Sequence, residues 1–346
     1  MTPQPMRVLM VTTEWPRVPW GTAQFVARQA AFLRTAGVDV EVFHFRGESN
    51  PLKYGSAWLH VRRRLARERF DLVHAQFGQS ALLALPKRLP LVVTFRGCDL
   101  QGNLSTRDGH LTTAGRMLRR FCQWVARRAD AVIIVSAHMR RYLRNGLPAS
   151  VIPSGIDFDL FRPLPRAEAR VRLGLPADER LVLFVGDPTD PRKRGDLARL
   201  AVERLRAALP VRLVVGWGVP HQEMPYYMGA CDVLVFTSRQ EGSPNAVKEA
   251  LACNLPIVSV PVGDVVERLQ DVAGCEVCAD DRPETIAAAL ARVLARPQRC
   301  AGQEAVRHLD ERLLTQQVLA VYHAALNGAR SGPTTRPRAV ARPPAT

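Results

Sequence analysis

The segment Thr237-Ser-Arg-Gln-Glu-Gly-Ser-Pro-Asn-Ala-Val-Lys-Glu249 gathers residue types that can do chemistry. Glu241 and Glu249 are separated by seven residues. Between them Ser243 reads as a helix N-cap and Pro244 as the first helical position. A helix starting there leaves the amides of Asn245 and Ala246 unbonded, and the partial positive charge of that end suits a diphosphate. Glu241 precedes the cap, so it can reach past the phosphates toward a transferred sugar. Glu249 lies about 7–8 Å along the axis from Pro244, at ~1.5 Å per residue, where a carboxylate can accept both hydrogen bonds of a ribose diol. Gly216, in Gly216-Trp-Gly218, ends a strand and is expected to let a nucleotide approach closely.

Positioning such groups takes a sheet whose strands deliver loops to one edge. Short apolar runs alternate with helical patterns along most of the chain, which predicts α/β architecture with parallel sheets. Strands are expected at 7–11, 38–43, 72–75, 91–94, 131–135 and 150–152. The alternation then restarts, with strands at 181–185, 211–215, 233–236, 256–260 and 275–278. Helices are expected at 24–36, 113–129, 195–208, 244–252 and 282–295. Two Rossmann-like domains follow, 1–158 and 159–305, facing each other across a cleft. A single closing helix is expected over 306–328, and a disordered, Pro- and Arg-rich tail over 329–346.

The paired glutamates and the continuation Ala250-Leu-Ala-Cys-Asn-Leu-Pro-Ile-Val-Ser-Val-Pro-Val-Gly-Asp264 resemble glycosyltransferase family 4, in particular its teichuronic-acid-type members. The resemblance implies the GT-B fold, a nucleotide diphosphate sugar as donor, a UDP-linked one being the first candidate, and retention of anomeric configuration. It implies no cofactor and no bound metal. Glu241 would contact the donor sugar and Glu249 the ribose. The family places an Arg just after the first strand of the second domain and a Lys a few residues on. Here the segment reads Val185-Gly-Asp-Pro-Thr-Asp-Pro-Arg-Lys-Arg194. Lys193 matches the Lys, Asp187 takes the Arg position, and Arg192 or Arg194 would substitute. Cations are needed because the departing diphosphate gains charge.

In the first domain, Val92-Val-Thr-Phe-Arg-Gly-Cys-Asp99 resembles the family's Thr-Phe-His-Gly-x-Asp, with Arg96 in the place of the His. Arg cannot act as a base at neutral pH, so Arg96 would stabilise phosphate charge or orient the acceptor. No protein base is required if the leaving phosphate oxygen takes the acceptor proton on the same face. The loop residues Gly21 and Thr22 are expected on the acceptor side; Asp99 is expected to bind acceptor or to orient Arg96, and His74 to face the cleft on the acceptor side or to pack. Ser136 reads as a helix N-cap. The absence of G-x-G-x-x-G argues against a dinucleotide oxidoreductase.

The formal charge is +16, but lysine accounts for only four of the 48 basic residues. That bias, with many Ala and Pro, suggests an Arg-rich surface rather than a nucleic-acid site, and no aromatic-studded basic strand appears. The runs Arg62-Arg-Arg64 with Arg67, and Arg116, Arg119, Arg120 and Arg127 beside apolar Met117, Phe121 and Val125, could dock on an anionic inner leaflet. Seven scattered Cys suggest a reducing compartment, and Cys275 with Cys278 suggests strand packing rather than zinc. A cytoplasmic protein touching a membrane without crossing it is expected. Its function is expected to be transfer of a sugar to a glycan or lipid-linked acceptor in cell-surface polysaccharide assembly. The alternatives are another GT-B enzyme, such as a sugar-phosphate synthase or epimerase, and a catalytically dead sugar-nucleotide binder.

Overall fold

Eleven strands among the described residues form two wholly parallel sheets. The structure is a computed structural model that describes residues 4–16, 23–47, 50–105, 109–144, 146–207, 209–296 and 298–330. The first sheet contains β1 (Arg7–Thr12), β2 (Asp39–His44), β3 (Leu72–Gln76), β4 (Leu91–Phe95), β5 (Ala131–Ile134) and β6 (Ser150–Val151), in the order β2-β1-β3-β4-β5-β6. The second contains β7 (Arg180–Val185), β8 (Val211–Gly216), β9 (Val233–Phe236), β10 (Ile257–Ser259) and β11 (Glu276–Val277), in the order β11-β10-β9-β7-β8. Helices α1 (Gln24–Thr35), α2 (Pro51–Arg67), α3 (Cys98–Gln101) and α4 (Thr113–Ala126) belong to the first lobe. The second holds α5 (Arg166–Leu173), α6 (Gly195–Leu205), α7 (Met224–Ala230), α8 (Asn245–Ala252), α9 (Val265–Leu269), α10 (Pro283–Leu294) and α11 (Gly302–Val306), and the last helix is α12 (Glu311–Arg330).

The central strands are buried on both faces, as parallel strands covered by helices must be: every residue of β3, β4 and β9 is buried. Alternate residues serve different layers. Val8 and Met10 of β1 join one apolar cluster, while Leu9 and Val11 join another on the opposite face. The first cluster runs on through Ile152, Ile156 and Phe161 into the second lobe, so the two lobes share an apolar core along their connection.

The expected strands match those observed, with ends shifted by at most one residue in either direction. The expected closing helix does not run unbroken. The chain makes α11, a single 3-10 turn at Arg307–Leu309, and then α12. The break falls at Asp310, whose carboxylate accepts the amide of Arg312 at 2.8 Å and so restarts a helix there. At this break Glu311 N donates to Ile156 O (2.9 Å) and Ile156 N to Leu309 O (2.8 Å). The lobes are therefore crossed twice, side by side. Beyond it α12 packs on α1, β4 and β5, returning the C-terminal segment to the first lobe. The expected tail lies outside the described residues apart from the end of α12. On α4, Val125 is buried whereas Met117 is 67% exposed, so the apolar residues singled out there do not all face the core. No helix among the described residues is long and apolar enough to cross a membrane.

Candidate functional site

The carboxyl ends of the two sheets face one another, and between them lies a cavity of about 490 Å³. Ligands of open α/β sheets gather at this edge. Of the residues singled out from sequence, Arg96, Arg192, Lys193, Glu241, Ser243, Pro244, Asn245, Ala246 and Glu249 all line it.

Helix α8 opens on this cavity. Its N-cap is Pro244, with extended backbone (φ −68°, ψ 124°), and no side chain caps it. This corrects the expectation that Ser243 caps the helix: the proline itself takes the extended conformation an N-cap needs, so the register moves by one residue. Ser243 instead accepts a long contact from Arg268 (3.4 Å). The first amides of α8 are left for a ligand. Asn245 Oδ1, beside them, is buried without a hydrogen-bond partner, an orphaned acceptor that a ligand hydroxyl can satisfy.

Glu241 Oε1 receives the ammonium of Lys193 at 2.5 Å. Arg192 pairs with Asp190 at 2.8 Å on the rim. Arg194 is turned away, its Nε donating to Thr237 O at 2.6 Å while it pairs with Asp281. Glu249 is buried at the cavity floor, with Arg28 at 3.5 Å and His221 Nε2 at 3.3 Å. Burial alone would raise its pKa, but the His221 hydrogen bond and the charges of Arg28 and Lys248 more than offset it. The carboxylate is thus held ionised and aimed.

On the first lobe, Arg96 is enclosed. Its Nη1 donates to Ser154 Oγ (2.6 Å), its Nη2 to Gln29 (3.0 Å) and Gln76 (2.5 Å), and its guanidinium sits 4.9 Å from the Phe25 ring centroid. Burial pulls its pKa down to about 10, so it stays charged at neutral pH. Three expectations fail. Asp99 is 1% exposed and accepts the amides of Gly78, Arg96, Gly97 and Leu100 (2.9–3.1 Å), which makes it the pin of the Arg96 loop rather than an acceptor ligand. His74 is fully buried between Tyr322 Oη (2.7 Å) and Thr94 Oγ1 (2.8 Å), and burial lowers its pKa to about 3; it packs the core beneath α12. Gly216 is buried under Met224, whose Cε would lie 3.2 Å from an added Cβ, so its small size serves packing. Gly21 and Thr22 lie outside the described residues.

Arg28, Gln29 and Gln76, which support the charged groups, carried no local signal of that role, because each acts on a side chain borne by another element. Trp217, 44% exposed on the cavity wall, was visible only as the middle of a glycine-flanked turn.

The lobes touch beside the cavity. At Gly242 an added Cβ would lie 2.3 Å from Arg96 O, and at Gly97 (φ +149°) 3.1 Å from Gly242 N. Glycine facing glycine lets the Arg96 and Glu241 loops meet. Gln101 Nε2 donates to Glu241 O (2.9 Å), Gln240 Nε2 to Gly102 O (2.8 Å) and Lys248 Nζ to Ser154 O (2.7 Å). Ser136 stands at the N-cap position expected of it, but its hydroxyl does not cap; it donates across the lobes to Gly242 O at 2.8 Å.

A family model described as Glycosyltransferase Family 4 matches residues 19–160, and one described as Glycosyl transferases group 1 matches residues 178–296. The chain is 29% identical over 220 residues to a putative teichuronic acid biosynthesis glycosyltransferase, TuaC, of Bacillus subtilis, covering 56% of this chain and 54% of that protein. It is 31% identical over 286 residues to a D-inositol 3-phosphate glycosyltransferase of Thermobispora bispora, covering 69% of this chain and 66% of that one. The chain thus spans between about half and two thirds of these relatives' lengths. Among solved structures, a sucrose-phosphate synthase from Thermosynechococcus elongatus aligns with TM-score 0.76 at 18% identity, over 93% of this chain and all of that one. Anabaena HepE, solved in complex with UDP, aligns with TM-score 0.67 at 19% identity, over 92% and 100%. These likenesses show the GT-B fold.

Proposed function

Because the chain belongs to glycosyltransferase family 4, we propose that it transfers a sugar from a nucleotide diphosphate donor, UDP-linked in the first instance, to a hydroxyl of a glycan or lipid-linked acceptor. The observation that carries this reading is the convergence of Lys193, Glu241 and Glu249 around the uncapped start of α8 in one cavity. The amides of Asn245 and Ala246, with Lys193 and Arg192, take the diphosphate. Glu249, already oriented by His221 and Arg28, accepts the ribose diol. Trp217 offers a flat face to the base. Glu241 holds the hydroxyls of the transferred sugar. HepE was solved with UDP and with UDP-glucose in this fold, which supports a UDP-sugar as the first donor to try.

Transfer breaks the bond from the sugar's anomeric carbon to the phosphate oxygen and forms one to the acceptor oxygen. The acceptor proton passes to the departing phosphate oxygen on the same face, which gives retention and asks no base of Arg96. Cell-surface polysaccharide assembly is the pathway that the likeness to TuaC supports. Incubation with a panel of UDP-, GDP- and ADP-sugars, with and without acceptors, followed by product analysis, tests the reading. A new glycosidic product with retained configuration supports it. A sugar phosphate product or a changed nucleotide sugar would place the chain with the synthases or epimerases, and binding without turnover would make it a binder.

A further inference from the structure

His138 bridges the two first-lobe side chains that hold the loop bearing Glu241. Its Nδ1 lies 2.9 Å from Ser136 Oγ and its Nε2 lies 3.2 Å from Gln101 Nε2. Ser136 in turn donates to Gly242 O at 2.8 Å, and Gln101 to Glu241 O at 2.9 Å. Ser136 and Gln101 are 3% and 5% exposed. The network therefore starts and ends on two successive carbonyl oxygens of the second lobe.

Carbonyl oxygens only accept, and this fixes the direction of every bond. The single proton of Ser136 goes to Gly242 O, so Ser136 Oγ must accept from His138, whose proton is then on Nδ1. Gln101 must turn its amide nitrogen to Glu241 O, so the same nitrogen faces His138 Nε2, which must accept. We propose that His138 is a positioning residue that locks the Glu241–Gly242 loop onto the first lobe, and that it does so only as the neutral imidazole protonated on Nδ1. A charged ring sets Nε2–H against the amide hydrogens of Gln101. Turning that amide over only moves the conflict, since its oxygen then meets Glu241 O. Protonation must release one side of the clamp.

The surroundings agree. Burial and Arg141, on the same 3-10 helix (Ala137–Tyr142), lower the pKa of His138, while Asp264 and Glu267 from the second lobe raise it; the net direction is down. Arg119 and Arg239 share with His138 a small cavity of about 210 Å³ behind Glu241 and add positive charge to its wall. A group held neutral in the closed form contributes fully above its free pKa of about 6.5 and loses that contribution as pH falls below it. Only the consequence for turnover rests on the proposed transferase activity.

The test needs neither donor nor acceptor. In the full chain labelled with ¹⁵N-histidine at about pH 7.5, long-range proton–nitrogen correlation reads the tautomer of His138, assigned by loss of its signals in His138→Gln and His138→Asn. A pyrrole-type Nδ1 with a pyridine-type Nε2 is expected; a proton on Nε2, or a charged ring, overturns the proposal. Small-angle scattering between about pH 7.5 and 5.5 gives the second readout. The wild type is expected to lose compaction toward the acid end, and His138→Gln, an uncharged arm of similar reach, to stay level. Identical curves for both would sink the clamp whatever the chain's activity proves to be.

Discussion

Lys193 Nζ lies 2.5 Å from Glu241 Oε1, so the cation proposed for the diphosphate and the carboxylate proposed for the sugar already satisfy each other. Donor entry must exchange this pair for new partners. The pair keeps both charges hydrogen-bonded in the cleft, where either alone would be costly.

Replacing Glu241 with Gln frees Lys193. Affinity for UDP, measured calorimetrically, is expected to hold or to rise, by up to roughly tenfold, the scale of one charge-assisted hydrogen bond. Turnover of the sugar nucleotide is expected to fall by about 100-fold or more if Glu241 acts at the transition state. Weaker UDP binding with normal turnover would contradict both halves.

Glu249→Gln separates ribose from phosphate. The variant is expected to lose about tenfold or more in affinity for UDP and nothing for inorganic pyrophosphate. It also has a pH signature. The folded pKa of Glu249 is depressed by His221 and Arg28 despite its burial. Its contribution to stability is present above the free carboxylate value and fades as pH falls through the folded one. Thermal melts between neutral and acid pH should show this slope in the wild type and a shallower one in the variant.

Lys248 gives the same sign in a more alkaline window. It is 1% exposed, and burial brings its pKa from 10.5 down to about 7. Above that pH the unfolded chain binds a proton that the folded chain does not, so stability is expected to climb as pH rises from about 7 toward 10.5. Lys248→Met should flatten that rise and raise the melting temperature near neutrality, because no buried ammonium remains. An unchanged pH profile would mean that the amine reaches water.

The second-lobe side of the cavity was legible because its parts are consecutive. A strand, Glu241, a proline-started helix and Glu249 form one local pattern whose spacing is set by helix geometry. The strand alternation was legible for the same reason. The first-lobe half was misread at His74, inside β3, and at Asp99, in α3 just beyond β4, because neither position says whether a side chain turns to the cleft or to the core. For His74 the answer comes from Tyr322, 248 residues away. Ser136 sat at a cap position, but Gly242 in the other lobe captured its hydroxyl.

Arg96 and His74 should therefore part company under mutation. Arg96→Ala strips partners from Gln29, Gln76 and Ser154 at the cavity wall and should lower turnover, with Arg96→Lys restoring little because one ammonium cannot replace the fork. His74→Gln should cost about 1–3 kcal/mol in denaturant unfolding while leaving UDP affinity alone. Normal turnover in Arg96→Ala would remove Arg96 from the site.

The arginine faces remain a proposed docking surface. Arg64 is engaged with Glu41 and Glu68, and Arg119 with the carbonyl of Gln101, whereas Arg63, Arg67 and Arg120 are exposed, as are Leu52, Leu59 and Met117. Sedimentation with phosphatidylserine-containing vesicles at low salt should carry the protein down and lose it as salt rises. Met117→Glu with Arg120→Glu should weaken it; no sedimentation at any salt would reject docking.

The return of α12 has a consequence for how the molecule is made. Tyr322 fills the space above His74, and Glu311 joins Ile156, so the N-terminal half lacks part of its own interior until residues 310–330 have been translated. A fragment stopped near residue 158 is expected to show its vacant groove to chaperones, and adding residues 310–330 as a separate peptide should restore its protection from proteases.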